Sequence, residues 1–150
     1  MTRSSLCAKI ILSICLLPFG LLTPILEIGP THVFNPDWPG HARLHEVWQL
    51  VTHSALALMC LWLTWRTGQV RLAALIALLV SVGFLAAYVL SPLYGGTMKH
   101  SDGTELSIGG INSAVAIMVA AALGQAGVWI SAAKWPSTKD VENAVRSGVS

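Results

Sequence analysis

The chain has 150 residues, which is enough for one ordinary domain and too few for two. Apolar residues make up 54% of it and charged residues only 11%, against roughly 25% charged residues in a typical soluble domain. The formal net charge of +2 says little, because so few charges exist. This composition argues against a disordered chain, a disulfide scaffold, a basic nucleic-acid-binding protein and a soluble enzyme. The three cysteines lie in apolar runs without CxxC spacing, so we expect packing residues.

Four apolar segments predict an all-α integral membrane protein. They cover residues 10–28, 44–65, 72–90 and 111–132. Each has close to the ~20 residues that cross ~30 Å of hydrocarbon as a helix, and lipid cannot satisfy an open backbone. The first segment follows Arg3 and Lys9 as a signal peptide would, but it lacks an A-x-A cleavage site. We therefore expect it to be a retained span.

The short connections predict an up-down-up-down four-helix transmembrane bundle. It forms one membrane domain at residues 1–135, followed by a cytoplasmic tail at 136–150. Two stripes of small residues favour close helix packing, either within one chain or in a homo-oligomer. These stripes are Ala73, Ala77 and Ser81 on span three, and Ala116, Ala120 and Gly124 on span four.

The placement of basic residues predicts the orientation. On one side lie Arg3, Lys9, Arg66, Arg71, Lys134, Lys139 and Arg146, and on the other lie Arg43 and Lys99. The positive-inside rule then predicts that both termini are cytoplasmic and that two loops are extracytoplasmic. We expect a bacterial inner membrane or another cellular membrane.

Nearly all the side chains that could transfer protons or bind a metal ion fall on the predicted outer side, including all five histidines. Titratable groups at a membrane are costly unless they pair or carry a function. Within this half, Asp37 is placed to cap the helix of span two, and Pro39 follows in its first turn. The outer side is therefore the predicted functional site.

Two histidines spaced four residues apart are a candidate metal site. His41 and His45 fall on one helix face and can both reach one ion. The third ligand would be His32, or else Glu27 or Asp37, which lie in the same part of the chain. The alternative is that these are interfacial histidines, hydrogen-bonded to Asp37, Glu46 and loop carbonyls.

The predicted acid–base residues are Glu27, Asp37, His41, His45 and Glu46. Glu27 ends an otherwise apolar helix and is suited to proton donation or shuttling, the alternative being an ion pair with Arg43. His53 lies deeper, where we expect a hydrogen bond to a neighbouring helix.

The second outer loop contains Ser101-Asp102-Gly103-Thr104, which predicts a short extracytoplasmic β-hairpin between spans three and four. We expect it to lie over the outer mouth of the bundle as a lid. His100 would either complete the site there or be solvated.

The first outer loop resembles that of a family of small four-span membrane proteins, some of them labelled DoxX-like. The matching residues are Glu27, Thr31-His32, Asn35-Pro36-Asp37-Trp38-Pro39 and His41-Ala42-Arg43-Leu44-His45. Many members have Asp at the acidic position and Pro where Gly40 stands. The resemblance implies a four-span fold and an important outer loop, and it implies no reaction. A looser similarity, in architecture and acid-plus-imidazole chemistry alone, is to the emopamil-binding group, which includes isomerases.

Together these observations predict an integral membrane enzyme. Its acid–base or metal-assisted chemistry (isomerisation, cyclisation or hydrolysis) would act on a small lipophilic molecule reached through the bilayer. The expected partners are this ligand and membrane lipid, without nucleic acid. No GxGxxG, P-loop or GxSxG motif signals a soluble cofactor, which leaves a divalent metal ion as the one candidate cofactor.

Two other functions stay open. The first is a non-enzymatic binding or accessory subunit for lipid, quinone, haem or a protein partner. The second is transport of a metal ion or proton, which we rank last because the inner half offers only Gln125 and Thr64 along a path.

Overall fold

A computed structural model describes residues 3–100, 103–132 and 147, with side chains from Ser5 onward. The predicted tail at 136–150, apart from Ser147, lies outside the described residues. The same holds for Asp102 and for three of the basic residues that predicted the orientation, namely Lys134, Lys139 and Arg146.

The described chain is mostly helical. Its helices are α1 (Arg3–Leu17), α2 (Thr23–Glu27), α3 (Gly40–Trp62), α4 (Val70–Tyr94) and α5 (Ser113–Ala132). A π-helical turn at Pro18–Leu22 joins α1 to α2, and another at Leu63–Thr67 extends α3.

The resulting helical segments match the four predicted spans. They are Ser5–Glu27, Gly40–Thr67, Val70–Tyr94 and Ser113–Ala132. Each is long and apolar enough to cross a membrane. The first three segments extend beyond the predicted bounds, because helices continue into residues that the apolar runs do not include.

Two prolines account for the irregular turn in the first segment. Pro18 and Pro24 lack an amide hydrogen, so neither can complete an α-helical hydrogen bond. The backbone widens into a π-turn at Pro18–Leu22, and the Thr23 hydroxyl donates to the Pro18 carbonyl at 2.9 Å. The helical path is kept, and Glu27 lies at its end.

The helices pack side by side, each against its neighbours. α1 packs on α5, α5 on α4, α4 on α3, and α3 on the Pro18–Leu22 turn. The core lies between them and includes Leu12, Leu16, Phe19, Ala57, Cys60, Ala73, Ala77, Met118 and Val128.

The two small-residue stripes have different surroundings. Ala73, Ala77 and Ser81 are fully buried, so this stripe packs within the chain. Ala116 and Ala120 are exposed.

Basic and aromatic side chains meet at the end of the helices remote from Glu27. The Lys9 ammonium lies 5.5 Å from the centre of the Trp65 ring, and the Arg71 guanidinium lies 5.3 Å from that of Trp129. Cations at this distance are attracted to the face of an indole ring. The Trp65 indole N–H also donates to the Ser13 hydroxyl at 3.0 Å.

The predicted hairpin is present, but its turn lies later in the chain. Strands β1 (Ser107–Ile108) and β2 (Ile111–Asn112) pair antiparallel, with Ile108 opposite Ile111. Gly109 and Gly110 join them with φ of 61° and 81°, the left-handed backbone that a type I′ turn requires at both positions. Residues 101 and 102 of the predicted Ser101–Thr104 signal lie outside the described residues. On either side of them, the His100 amide donates to the Thr104 carbonyl at 2.9 Å.

Candidate functional site

The centre of the candidate site is a contact between the end of α2 and the loop that follows it. Glu27 Oε2 lies 2.6 Å from His32 Nε2, and the two side chains are 24% and 19% exposed. Oε2 is buried without an aligned hydrogen-bond donor, so this is a close contact between a carboxyl group and an imidazole rather than a well-formed hydrogen bond. At the other ring nitrogen, His32 Nδ1 lies 3.0 Å from the Thr31 hydroxyl. Both ring nitrogens therefore have a polar neighbour, which fixes the orientation of the imidazole.

The loop folds back because its backbone returns to the end of α2. The Val33 amide donates to the Glu27 carbonyl at 3.2 Å, and the Phe34 amide donates to the Gly29 carbonyl at 2.9 Å. This reversal places His32 beside Glu27, five residues earlier in the chain.

Asn35 holds the loop together and was not among the predicted site residues. Its side chain is 1% exposed. Its Nδ2 donates to the Thr31 carbonyl at 3.0 Å, and its Oδ1 accepts from the Asp37 amide at 2.9 Å. The sequence does contain a signal for this role, since an Asn before a proline is typical of such side-chain-closed turns.

Two aromatic rings cover His32. The Trp38 ring lies edge-to-face with it at a centroid distance of 5.3 Å, and the His100 ring does so at 5.1 Å. His100 comes from the loop after α4, so it links the second outer loop to the first. Burial lowers the pKa of His32 below its ordinary value, and the nearby His100 lowers it further. The His32 ring is therefore neutral at neutral pH and can accept a proton.

Glu46 and His53 lie on the face of α3 that points into the chain. Both are half-buried, on the same stripe as the buried Leu50 and Ala57. The Glu46 carboxylate is close enough to Glu27 to repel its charge. The contact that the structure gives His53 is aromatic rather than the predicted interhelical hydrogen bond, because its ring lies edge-to-face with Phe19 at 6.0 Å.

His41 and His45 form a second, separate pair. Their Nε2 atoms are 3.0 Å apart, and both side chains are exposed. In residues 3–100 and 103–132, no three His, Cys, Asp or Glu side chains lie close enough to hold a metal ion. The predicted set of His32, His41 and His45 is therefore not assembled within one chain.

Asp37 does not cap α3, contrary to the prediction. The N-cap residue is Pro39, with φ −55° and ψ 143° and no side-chain cap, and the helix begins at Gly40. The reason is position: Asp37 lies two residues before the N-cap residue, in a turn in which its amide donates to Asn35 Oδ1. The Asp37 carboxylate is exposed.

A cavity of about 420 Å³ lies between α1 and α5, at the far end of the first segment from Glu27. Its lining is apolar apart from one thiol and one hydroxyl, and consists of Cys7, Ala8, Ile11, Gly124, Gly127, Val128 and Ser131. With no acid or imidazole in that lining, the cavity is not where the acid–base residues act.

The helices and the site are compatible with one broad class, that of proteins with membrane-spanning helices. No protein-family model, curated protein or solved structure matches the chain. The similarity of the outer loop to the DoxX-like family stays a prediction.

Proposed function

We propose that the chain is an integral membrane enzyme in which Glu27 and His32 transfer protons on a small lipophilic molecule at the outer mouth of a four-helix bundle. The observation that carries this proposal is the 2.6 Å contact between a half-buried carboxyl group and a neutral imidazole. Such a pair can donate a proton with one member and accept one with the other.

Exposed side chains support the membrane placement. Leu79 is 65% exposed, Val89 71% and Leu123 70%, and such apolar side chains on long helices are costly in water but not in lipid. The Lys9–Trp65 and Arg71–Trp129 contacts lie at one end, where snorkelling cations and indole rings mark a membrane boundary. That end would face the cytoplasm, and both termini with it.

An isomerisation uses the pair in two steps. Protonated Glu27 gives its proton to one carbon of a C=C double bond, while His32 Nε2 removes a proton from the carbon attached to the other end of that double bond. The double bond shifts, and the proton on His32 then returns to Glu27 across the 2.6 Å gap, which restores both groups. Cyclisation and hydrolysis would use the same two groups. The acid–base form is the one we propose, because the residues brought together are a carboxyl group and an imidazole.

Deuterium uptake tests this function on every lipid of the membrane at once. The full chain, purified in detergent, is incubated in D₂O with the total lipid extract of the membrane that it is purified from. Mass spectrometry then reads the deuterium bound to carbon in each lipid. We expect at least one lipid to gain deuterium with the wild type, and Glu27→Gln to slow this gain by about 10²–10⁴-fold.

Asp37→Asn is the matched control, because it neutralises an exposed carboxylate of the same loop. It should retain the wild-type rate. A wild type that transfers no deuterium, or a Glu27→Gln variant as active as the wild type, would overturn the proposal. The second outcome would favour the alternative of a binding or accessory subunit.

A further inference from the structure

Helix α3 has two faces with different surroundings. The inner face packs within the chain and carries Glu46, Leu50, His53, Ala57 and Cys60, all buried or half-buried. The outer face is exposed along its whole length and carries His41, His45, Trp48, Thr52, Ala55, Met59 and Trp62. At about 100° per residue, the centres of the two faces are roughly 150° apart around the helix.

The outer face has the spacing of a helix–helix contact. Its residues alternate at intervals of four and three, the repeat that lines up one seam of a coiled coil. Thr52 and Ala55 in its middle are small enough to let a second helix approach closely. Trp48, which is 65% exposed, and Trp62, which is 57% exposed, flank this middle part with large surfaces.

The histidines at the outer end of this face are arranged as half of a metal site. Their Nε2 atoms are 3.0 Å apart. Two imidazole nitrogens bound to one tetrahedral zinc ion at ~2.0–2.1 Å are about 3.3 Å from each other. The separation of the His41 and His45 nitrogens is thus within about 0.3 Å of that of two zinc ligands, and an ion would replace the hydrogen bond between them. The described chain brings no third ligand to them.

We propose that two copies of the chain pack along the outer face of α3 and that His41 and His45 of both copies hold one divalent ion of the zinc class. Copies in one membrane share their orientation, so a two-fold axis along the membrane normal brings both pairs to the same height. The inference rests on the proposed membrane placement but not on the chemistry of Glu27 and His32.

Zinc titration of the full chain in detergent tests the site. The protein is stripped with a chelator and then titrated with Zn²⁺, while bound metal is counted per chain and particle mass is read by light scattering. We expect one ion per two chains, a dimer that forms with zinc uptake, and its loss on renewed chelation. Co²⁺ in place of Zn²⁺ should give the intense visible bands of a tetrahedral site.

Variants of His41 and His45 test whether zinc binding needs the spacing of the two histidines or only their number. His45→Ala should lower the Zn²⁺ affinity by at least ~100-fold, since changes even outside the ligand shell cost ~10–100-fold. The double variant H45V/V47H keeps two histidines but places them on different sides of the helix, and it should lose zinc equally. His32→Ala should bind zinc as the wild type does.

The helix contact has its own matched pair of variants. Ala55→Phe places a ring on the outer face and should weaken the zinc-dependent dimer, whereas Leu58→Phe places one beside that face and should not. One ion per monomer, a dimer without zinc uptake, or loss of zinc in His32→Ala would each overturn the proposal. None of these results depends on deuterium transfer, so the two proposals fail separately.

Discussion

The orientation and the pKa of His32 depend on the residues around it. Its ring nitrogens lie beside Glu27 and Thr31, and its ring edges meet Trp38 and His100. The burial that lowers its pKa also keeps it neutral, and a neutral imidazole can act as a base. Apart from Glu27, which ends α2, these neighbours come from the loop closed by Asn35 or from the loop after α4.

The His32–His100 contact predicts a shift that can be measured. His100→Ala removes a nearby like charge, so the pKa of His32 should rise toward its ordinary 6.5 but stay below it because burial remains. Imidazole NMR signals of the two proteins, recorded against pH in detergent, read this shift directly. A His32 ring that titrates above 6.5 in the wild type would contradict it.

The lowered pKa of His32 also makes the free energy of unfolding depend on pH. Because the folded pKa of His32 is lower than the unfolded one, the unfolded chain binds the proton more readily. The neutral His32 ring therefore makes its full contribution to the free energy of unfolding above pH 6.5. That contribution is lost as the pH falls through the pKa of His32 in the folded chain. The carboxyl groups of Glu27 and Glu46 face the same region, so the His32→Gln variant is needed to isolate the effect.

At Gly20 in the first helical segment, the absence of a side chain permits close packing against α3. A Cβ on Gly20 would overlap the side chain of Ala57 on α3, and the Ser54 hydroxyl donates to the Gly20 carbonyl at 3.2 Å. The close approach of these two helices therefore depends on glycine. It also sets the position of Glu27, which ends the same segment.

Gly20→Ala should therefore destabilise the fold by about 1–3 kcal/mol through overpacking. Adding Ala57→Gly, which removes the overlapping group, should recover most of that loss. Gly83→Ala is the control, because its Cβ meets nothing within 4 Å. Unfolding in detergent against increasing SDS measures all four proteins, and equal midpoints for Gly20→Ala and the wild type would show that the helices can separate at little cost.

For the molecule as a whole, the main feature is the separation of its two ends. Lys9 and Arg71 meet indole rings at one end, whereas Glu27, His32 and His100 meet at the other. In the proposed membrane placement, this separation puts the acid–base residues on the side away from the cytoplasm.

Labelling from outside the cell tests that orientation. After Cys7, Cys15 and Cys60 are replaced by Ala, one new cysteine is introduced either at Thr104 or at Gln69, both exposed positions. An impermeant maleimide should label Thr104→Cys in intact cells and Gln69→Cys only after permeabilisation. The reverse pattern would place Glu27 and His32 in the cytoplasm.

The sequence by itself determined the four helical segments, the presence of a hairpin and the concentration of titratable groups in the loops after α2 and α4. These features depend on properties that add up along the chain, namely apolar length, turn-forming residues and the order of charges. The hairpin turn was misplaced because the chain offers two turn signals close together. The strands pair around the second, Gly109-Gly110, which has positive φ at both turn positions.

Tertiary structure decided which of the outer residues meet. His45 and Glu46 are adjacent in the chain, yet one lies on the exposed face of α3 and the other on the buried face. Which face turns inward depends on the fit of α3 against the Pro18–Leu22 turn and α4, and the sequence of α3 alone does not determine that fit. For the same reason the sequence suggested one site with His32 beside His41, where the fold makes two: His32 pairs with Glu27, and His41 with His45.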